Sequence, residues 1–302
     1  MNEQPNFRKI RVLDGSFSTE LTNVVNDFFG KDRPNWTFDA IIDKPEAVAE
    51  VHKRFLDAGV DDIETNTYHA CLPSLQRQGF DGPDLIKPNF RKIRVLDGSF
   101  STELANVVND FFEKDRPNWT FDAIIDKPEA VAEVHKRFLD AGVDDIETNT
   151  YHACLPSLER QGFDGPDLIK KAVNILKEVV ASSSSARDVR MWGSIGSYAI
   201  CFRGQAAEYT GAFVDVPPPT DIVKEMTVYH KKQIKAMKDA GMFHMLFETV
   251  SSVKEAQAIC NALEVHSDVK AVISFPCRKD GLSLRHGESF ESAVKHILGN
   301  PK

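Results

Sequence analysis

The stretch DKPEAVAEVHKRFLDAGVDDIETNTY, residues 126–151, decides the fold. Asp126 is placed to cap a helix, Pro128 suits its first turn, and Glu129 stands three residues after the cap. Val131, Val134, Phe138 and Leu139 follow at helical spacing until Gly142 ends the run. A short strand is then expected over Val143 to Thr148, closing on polar residues. Helix, glycine turn and polar-tipped strand together make one unit of a parallel α/β fold.

The same unit recurs downstream. Strands are expected at Val189 to Ile195, Met242 to Phe247 and Val269 to Phe275, alternating with helices at Asp167 to Val180, Asp221 to Ala240, Ser252 to Glu264 and Glu288 to Leu298. Upstream, Lys92 to Asp97 reads as a first strand and Ser101 to Phe112 as its helix. Strand and helix thus alternate five times from Lys92 onward, which favours a parallel sheet. No GxGxxG or GxxxxGK[ST] follows any strand, so a (β/α) barrel with parallel strands fits better than a nucleotide fold.

The quoted stretch also occurs at residues 43–68, inside a larger repeat. Pro5 to Lys87 matches Pro88 to Lys170 without gaps, and only Thr22/Ala105, Gly30/Glu113 and Gln76/Glu159 differ. Solenoid units are shorter and more divergent, so this is a copied block. A recent duplication and an error in the gene model are equally compatible with it. Residues 1–87 read as an extra copy of the first two βα units, and residues 88–302 as a barrel portion holding strands one to five. The extra strands could take the places of strands seven and eight, leaving a gap at six.

Of the 302 residues 42% are hydrophobic and 27% charged, which indicates an ordinary folded chain. Acidic residues outnumber basic ones, 45 to 37, and no basic run tracks a phosphate backbone, so nucleic acid is not expected as a partner. Neither a signal-peptide pattern nor a run of about 18 apolar residues occurs, so the expectation is a cytoplasmic protein without membrane contact. Cys71, Cys154, Cys201, Cys260 and Cys277 are widely spaced, with no CxxC or CC pair, and read as reduced thiols.

Barrel chemistry sits at the C-terminal ends of strands. The expected strands end in Asp97-Gly98-Ser99, Glu147-Thr148-Asn149-Thr150-Tyr151, Gly193-Ser194-Ile195-Gly196, Glu248-Thr249 and Ser274-Phe275. An acid there can hold an ammonium group, and glycine lets a substrate approach the backbone. Capping of the next helix is the plainer role for each residue singly. Glu248 is set apart because it ends the apolar run Met245-Leu246-Phe247, where an unpaired carboxylate is costly.

LDGSFSTEL (96–104), ETNTY (147–151), GSIGSYAICFRGQAAEYTG (193–211), FETVSSVKEA (247–256) and SFPCRKDGLSLRHGESF (274–290) resemble the homocysteine S-methyltransferase family. The likeness covers nearly all of Pro88 to Lys302, and is nearer to the branch using S-methylmethionine or S-adenosylmethionine than to the betaine-using branch. It implies a (β/α)8 TIM-type barrel in which zinc holds the homocysteine thiol as thiolate for attack on the methyl of a donor. It further implies Asp97, Gly98, Asn149 and Glu248 as substrate-binding residues, Glu248 receiving the amino group. The family's three zinc cysteines lie after strand six and in a Gly-Gly-Cys-Cys segment, and none has a counterpart before Lys302. The barrel is therefore expected to be incomplete, and turnover to be impaired. Cys277, just past strand five, is the least unsuitable substitute, whereas His69 and His152 read as loop or rim residues. A non-catalytic amino-acid-binding paralogue and a truncated gene model remain the alternatives.

Overall fold

The computed structural model describes residues 10–12, 17–25, 36–57, 63, 94–113, 116–183, 188–202, 207–278 and 282–297. Five parallel strands form its centre: β1 (Ile10–Val12), β2 (Asp145–Glu147), β3 (Arg190–Gly196), β4 (His244–Glu248) and β5 (Lys270–Ile273). Their spatial order is β1-β5-β4-β3-β2, and Leu96 adds a parallel bridge to Asp145 beyond β2. The helices in chain order are α1 (Phe17–Val24), α2 (Asp39–Asp43), α3 (Pro45–Asp57), α4 (Phe100–Val107), α5 (Ala123–Asp126) and α6 (Pro128–Ala141). After β2 come α7 (Leu155–Arg160) and α8 (Gly165–Ser182), then α9 (Ile222–Asp239), α10 (Val253–Leu263) and α11 (Phe290–Ile297). None of the described helices is long and apolar enough to cross a membrane.

Side-chain alternation along the strands separates two faces. Ile195, Met245, Phe247, Ala271 and Ile273 join the main core with the helices. Trp192, Leu246 and Val272 pack instead with Leu96 on the other, inner face. Burying each such side chain is worth about 1.5–3 kcal/mol. Beneath this apolar tier Asp145 gathers Arg94 and Arg190, each at 2.8 Å, and accepts the Trp192 indole N–H at 2.9 Å. Above it, two residues further along the strands, the inner face carries Ser194 and Glu248.

The helix of the quoted stretch forms as α6, with Val131, Val134 and Leu139 buried and Gly142 ending it at φ 103°. Its start differs from expectation. Lys127, not Asp126, is the N-cap residue and supplies no side-chain bond. The Asp126 carboxylate is engaged by Arg116 at 2.6 Å, an ion pair across a loop that local spacing does not encode. The helix expected over Ser101 to Phe112 breaks after Val107, and Phe111–Glu113 is a separate 3-10 turn.

The first copy reproduces the helical packing of the second. Leu21, Ala40, Ala47 and Val51 make a core of their own, and their counterparts Leu104, Ala123, Ala130 and Val134 lie in the main core. Arg54 meets Glu20 at 2.7 Å as Arg137 meets Glu103 at 2.7 Å. Phe17 stacks on His52 at 5.1 Å as Phe100 does on His135 at 5.2 Å. The strand placement corrects the expectation that the extra copy leaves a gap beside strand five. β1 pairs directly with β5, Ile10 with Ala271, Arg11 with Val272 and Val12 with Ile273. An unpaired parallel edge is costly, and β1 covers the edge that β5 would otherwise expose. The first copy's second strand, apart from Ile63, lies outside the described residues.

Candidate functional site

Glu248 is the last residue of β4, and the register sets it level with Gly196 of β3. The chain turns sharply after it: Thr249 has φ 60°, a left-handed conformation that a β-branched residue adopts at a cost of about 1–3 kcal/mol. Bonds to the end of β5 hold the turn, from Thr249 N–H to Ser274 Oγ at 3.3 Å and from Val250 N–H to Ser274 O at 2.9 Å. Strain of this kind is concentrated at functional positions in proteins generally.

The Glu248 carboxyl accepts the Ser194 hydroxyl and is bonded to Glu147. Burial raises its pKa above the usual carboxylate range, and the bonds to Glu147 and Ser194 oppose that rise. A carboxyl pair in hydrogen-bond contact holds a proton between its oxygens. An arriving ammonium group can displace that proton and take its place.

Asp97 reaches the same cluster from the neighbouring edge. Both its carboxylate oxygens accept the Glu147 backbone N–H, at 3.2 and 3.1 Å, and its own N–H donates to Asp145 O at 3.0 Å. Gly98 is half-buried beside it, and Ser99 caps α4 by accepting the Thr102 N–H. Asn149 is 4% exposed, yet neither of its amide atoms has a hydrogen-bond partner. An unsatisfied buried polar group costs about 1–3 kcal/mol, so this amide is set to gain from a polar ligand. Thr150 donates to Ser194 O at 2.6 Å and Thr148 Oγ1 accepts the Ser194 N–H at 3.1 Å, stitching the ends of β2 and β3 together. Gly196 is required there, because a Cβ would stand 2.3 Å from Tyr151 O.

Of the four residues singled out from the sequence, Asp97 and Glu248 are joined through Glu147. Asn149 is buried two residues further on, and Gly98 adjoins Asp97. Glu147 and Ser194 were quoted only as parts of strand ends. Period-two alternation from Asp145 and Trp192 is the signal that puts both on the inner face. A cavity of about 430 Å³ lies elsewhere, on the outer helical layer between Leu155, Phe163, Pro166 and Lys232, away from these carboxyls.

The family model described as homocysteine S-methyltransferase matches twice, over residues 11–92 and again over 94–302. The chain belongs to the homocysteine S-methyltransferase family. Similar proteins include Homocysteine S-methyltransferase 1 of Zea mays, 28% identical over 69% of this chain and 66% of that protein. Betaine-homocysteine S-methyltransferase of Drosophila melanogaster is 32% identical over 68% of this chain and 63% of its own length. The chain thus spans a little under two thirds of these relatives. The metallated form of the homocysteine methyltransferase MmuM from Escherichia coli superposes with a TM-score of 0.60 at 26% identity, covering 70% of this chain and 72% of that one. The α/β fold is of the TIM-barrel type that MmuM has.

The described residues do not fit the zinc that the family resemblance implies. No three histidine, cysteine, aspartate or glutamate side chains among them converge on a point. Cys154 and Cys201 face each other, the Cys277 thiol bonds to Phe275 O at 3.7 Å, and Cys260 lies on α10 with its pKa pushed up to about 11 by burial. His152 packs on Tyr151, and burial brings its pKa down to about 4.

Proposed function

We propose that this chain binds homocysteine at the strand ends and serves methyl transfer to its thiol from a sulfonium donor, S-methylmethionine or S-adenosylmethionine, giving methionine. In that reaction the homocysteine sulfur forms a bond to the methyl carbon, and the donor's carbon–sulfur bond electrons return to the donor sulfur as a neutral thioether. The thiol proton leaves to solvent. The observation that carries the reading is the buried Glu248 carboxyl, shared with Glu147 and Ser194 and flanked by Asp97, a site suited to the amino group. Asn149 would meet the amino-acid carboxylate, and Gly98 lets the substrate approach the backbone. The site belongs to the second copy, Asp97 rather than Asp14, because that copy runs on into Glu248.

We read the chain as two units, residues 1–87 and 88–302, working in the cytoplasm on small molecules, with neither nucleic acid nor membrane as partner. No step is assigned to a metal, and turnover is expected to be low. A second reading, an amino-acid-binding paralogue without turnover, is favoured by the lack of a three-ligand set among the described residues.

Calorimetric titration with L-homocysteine tests the binding half. Glu248→Gln should weaken binding at least about tenfold, or about 1.4 kcal/mol. Because the raised Glu248 pKa keeps the group neutral at a pH where other carboxylates are ionised, parent affinity should fall early on acidification, and the variant should lack that dependence. Equal binding by parent and variant would sink the assignment. Methionine formation with S-methylmethionine, compared with betaine, distinguishes the donors, and its absence with both selects the non-catalytic reading.

A further inference from the structure

We propose that Cys154 and Cys201 are a peroxide-oxidised dithiol, a modification site in which a hydroperoxide converts the two thiols to a disulfide. Their sulfurs are 3.0 Å apart although the residues are 47 positions apart in the chain. Cys154 is 2% exposed at the end of the loop that follows β2, immediately before α7. Cys201 closes the 3-10 turn Tyr198–Cys201 that follows β3, and is only partly buried. A disulfide sulfur pair lies at about 2.05 Å, so bonding needs an approach of about 1 Å. The two loops are already packed together, since Tyr151 O abuts Gly196 and Thr150 is bonded to Ser194 O.

The pair also has an attacking and a resolving member. The two thiols share one hydrogen bond, and with Cys201 as its donor the Cys154 pKa is lowered against the effect of burial, the Ser157 N–H and Arg160 assisting. Cys201 is correspondingly held protonated, its pKa raised by the bond to Cys154 and by burial. The Cys154 thiolate attacks the peroxide: a sulfur–oxygen bond forms, the oxygen–oxygen bond breaks, and the leaving hydroxide takes a proton to become water. Cys201 sulfur then displaces the second oxygen, forming the sulfur–sulfur bond and releasing a second water. Two electrons pass from the thiols to the peroxide. Cys260, on α10, has its pKa pushed up to about 11 by burial. The inference stands apart from the methyl-transfer reading and does not depend on turnover.

Peptide mapping of the native full chain after mild hydrogen peroxide treatment tests it. The expected result is a loss of two of the five titratable thiols and a tryptic species joining residues 138–160 to residues 191–203, reversed by dithiothreitol. The repeat supplies an internal control, because Cys71 sits in the peptide 55–77, which differs from 138–160 by Gln76/Glu159 and so in mass. Cys201→Ser should abolish the linked species and leave Cys154 as a sulfenic acid trapped by dimedone. A cross-link through Cys71, oxidation of Cys201 to sulfinic acid without a link, or an unchanged thiol count in the parent would overturn the proposal.

Discussion

His135 gives the most quantitative prediction. It lies on α6, fully buried, with neither ring nitrogen hydrogen-bonded and its ring against Phe100. Burial brings its pKa from 6.5 down to about 3. Below the unfolded value the unfolded chain takes up a proton that the folded chain refuses, so the contribution to stability is intact above about pH 6.5 and declines toward pH 3, by about 1.4 kcal/mol per unit. At about pH 5 the loss is about 2 kcal/mol. His135→Leu removes the titration and two unsatisfied nitrogens while giving up a ring contact, so near neutrality it should stay within about 1 kcal/mol of the parent. Urea unfolding followed by tryptophan fluorescence, at about pH 7.5 and about pH 5, should show the variant keeping about 2 kcal/mol that the parent loses on acidification. Equal acid sensitivity in parent and variant would refute the reasoning.

Two further substitutions probe other parts of the frame. Glu255 is fully buried and accepts Ser197 Oγ at 2.8 Å, Tyr198 N–H at 2.5 Å and His230 Nε2 at 3.1 Å, so Glu255→Ala strands a buried histidine. Thermal unfolding should report a loss of about 3–5 kcal/mol, and a loss below about 1 would show the network to be dispensable. Gly196→Ala places a methyl 2.3 Å from Tyr151 O, so the β2 loop must move at a cost of about 1–3 kcal/mol. Circular dichroism should stay native while homocysteine affinity falls, and unchanged affinity would separate that loop from the site.

β3, β4 and β5 were readable because their apolar runs and polar tips are local, and they begin and end within one or two residues of the expected limits, whereas of the strand expected at Lys92 to Asp97 the described residues form only the Leu96 bridge. Glu248 stood out for the same reason, an acid closing an apolar run. Its partners did not, since Glu147 and Ser194 reach it only through sheet register. Asp126 was misread as a cap because its true partner, Arg116, depends on the path of the intervening loop. The Cys154–Cys201 contact was hidden by chain separation, although both are free thiols as expected. The position of β1 could not be foreseen either, because a strand's sequence says what it can pair with and not which edge is vacant.

Arg11-Val12 is identical to Arg94-Val95, yet the first pair lies against β5, whereas Val95 O accepts the Asp144 and Asp145 N–H groups at the start of β2. The side chains of the shared segment are the same in both berths. The tethers differ, and the shorter connection favours the second copy beside β2 by about 1 kcal/mol. Edge assignment in this sheet is therefore set by the chain on either side of the strand as much as by the strand itself, since the helices that follow the two copies pack into different cores.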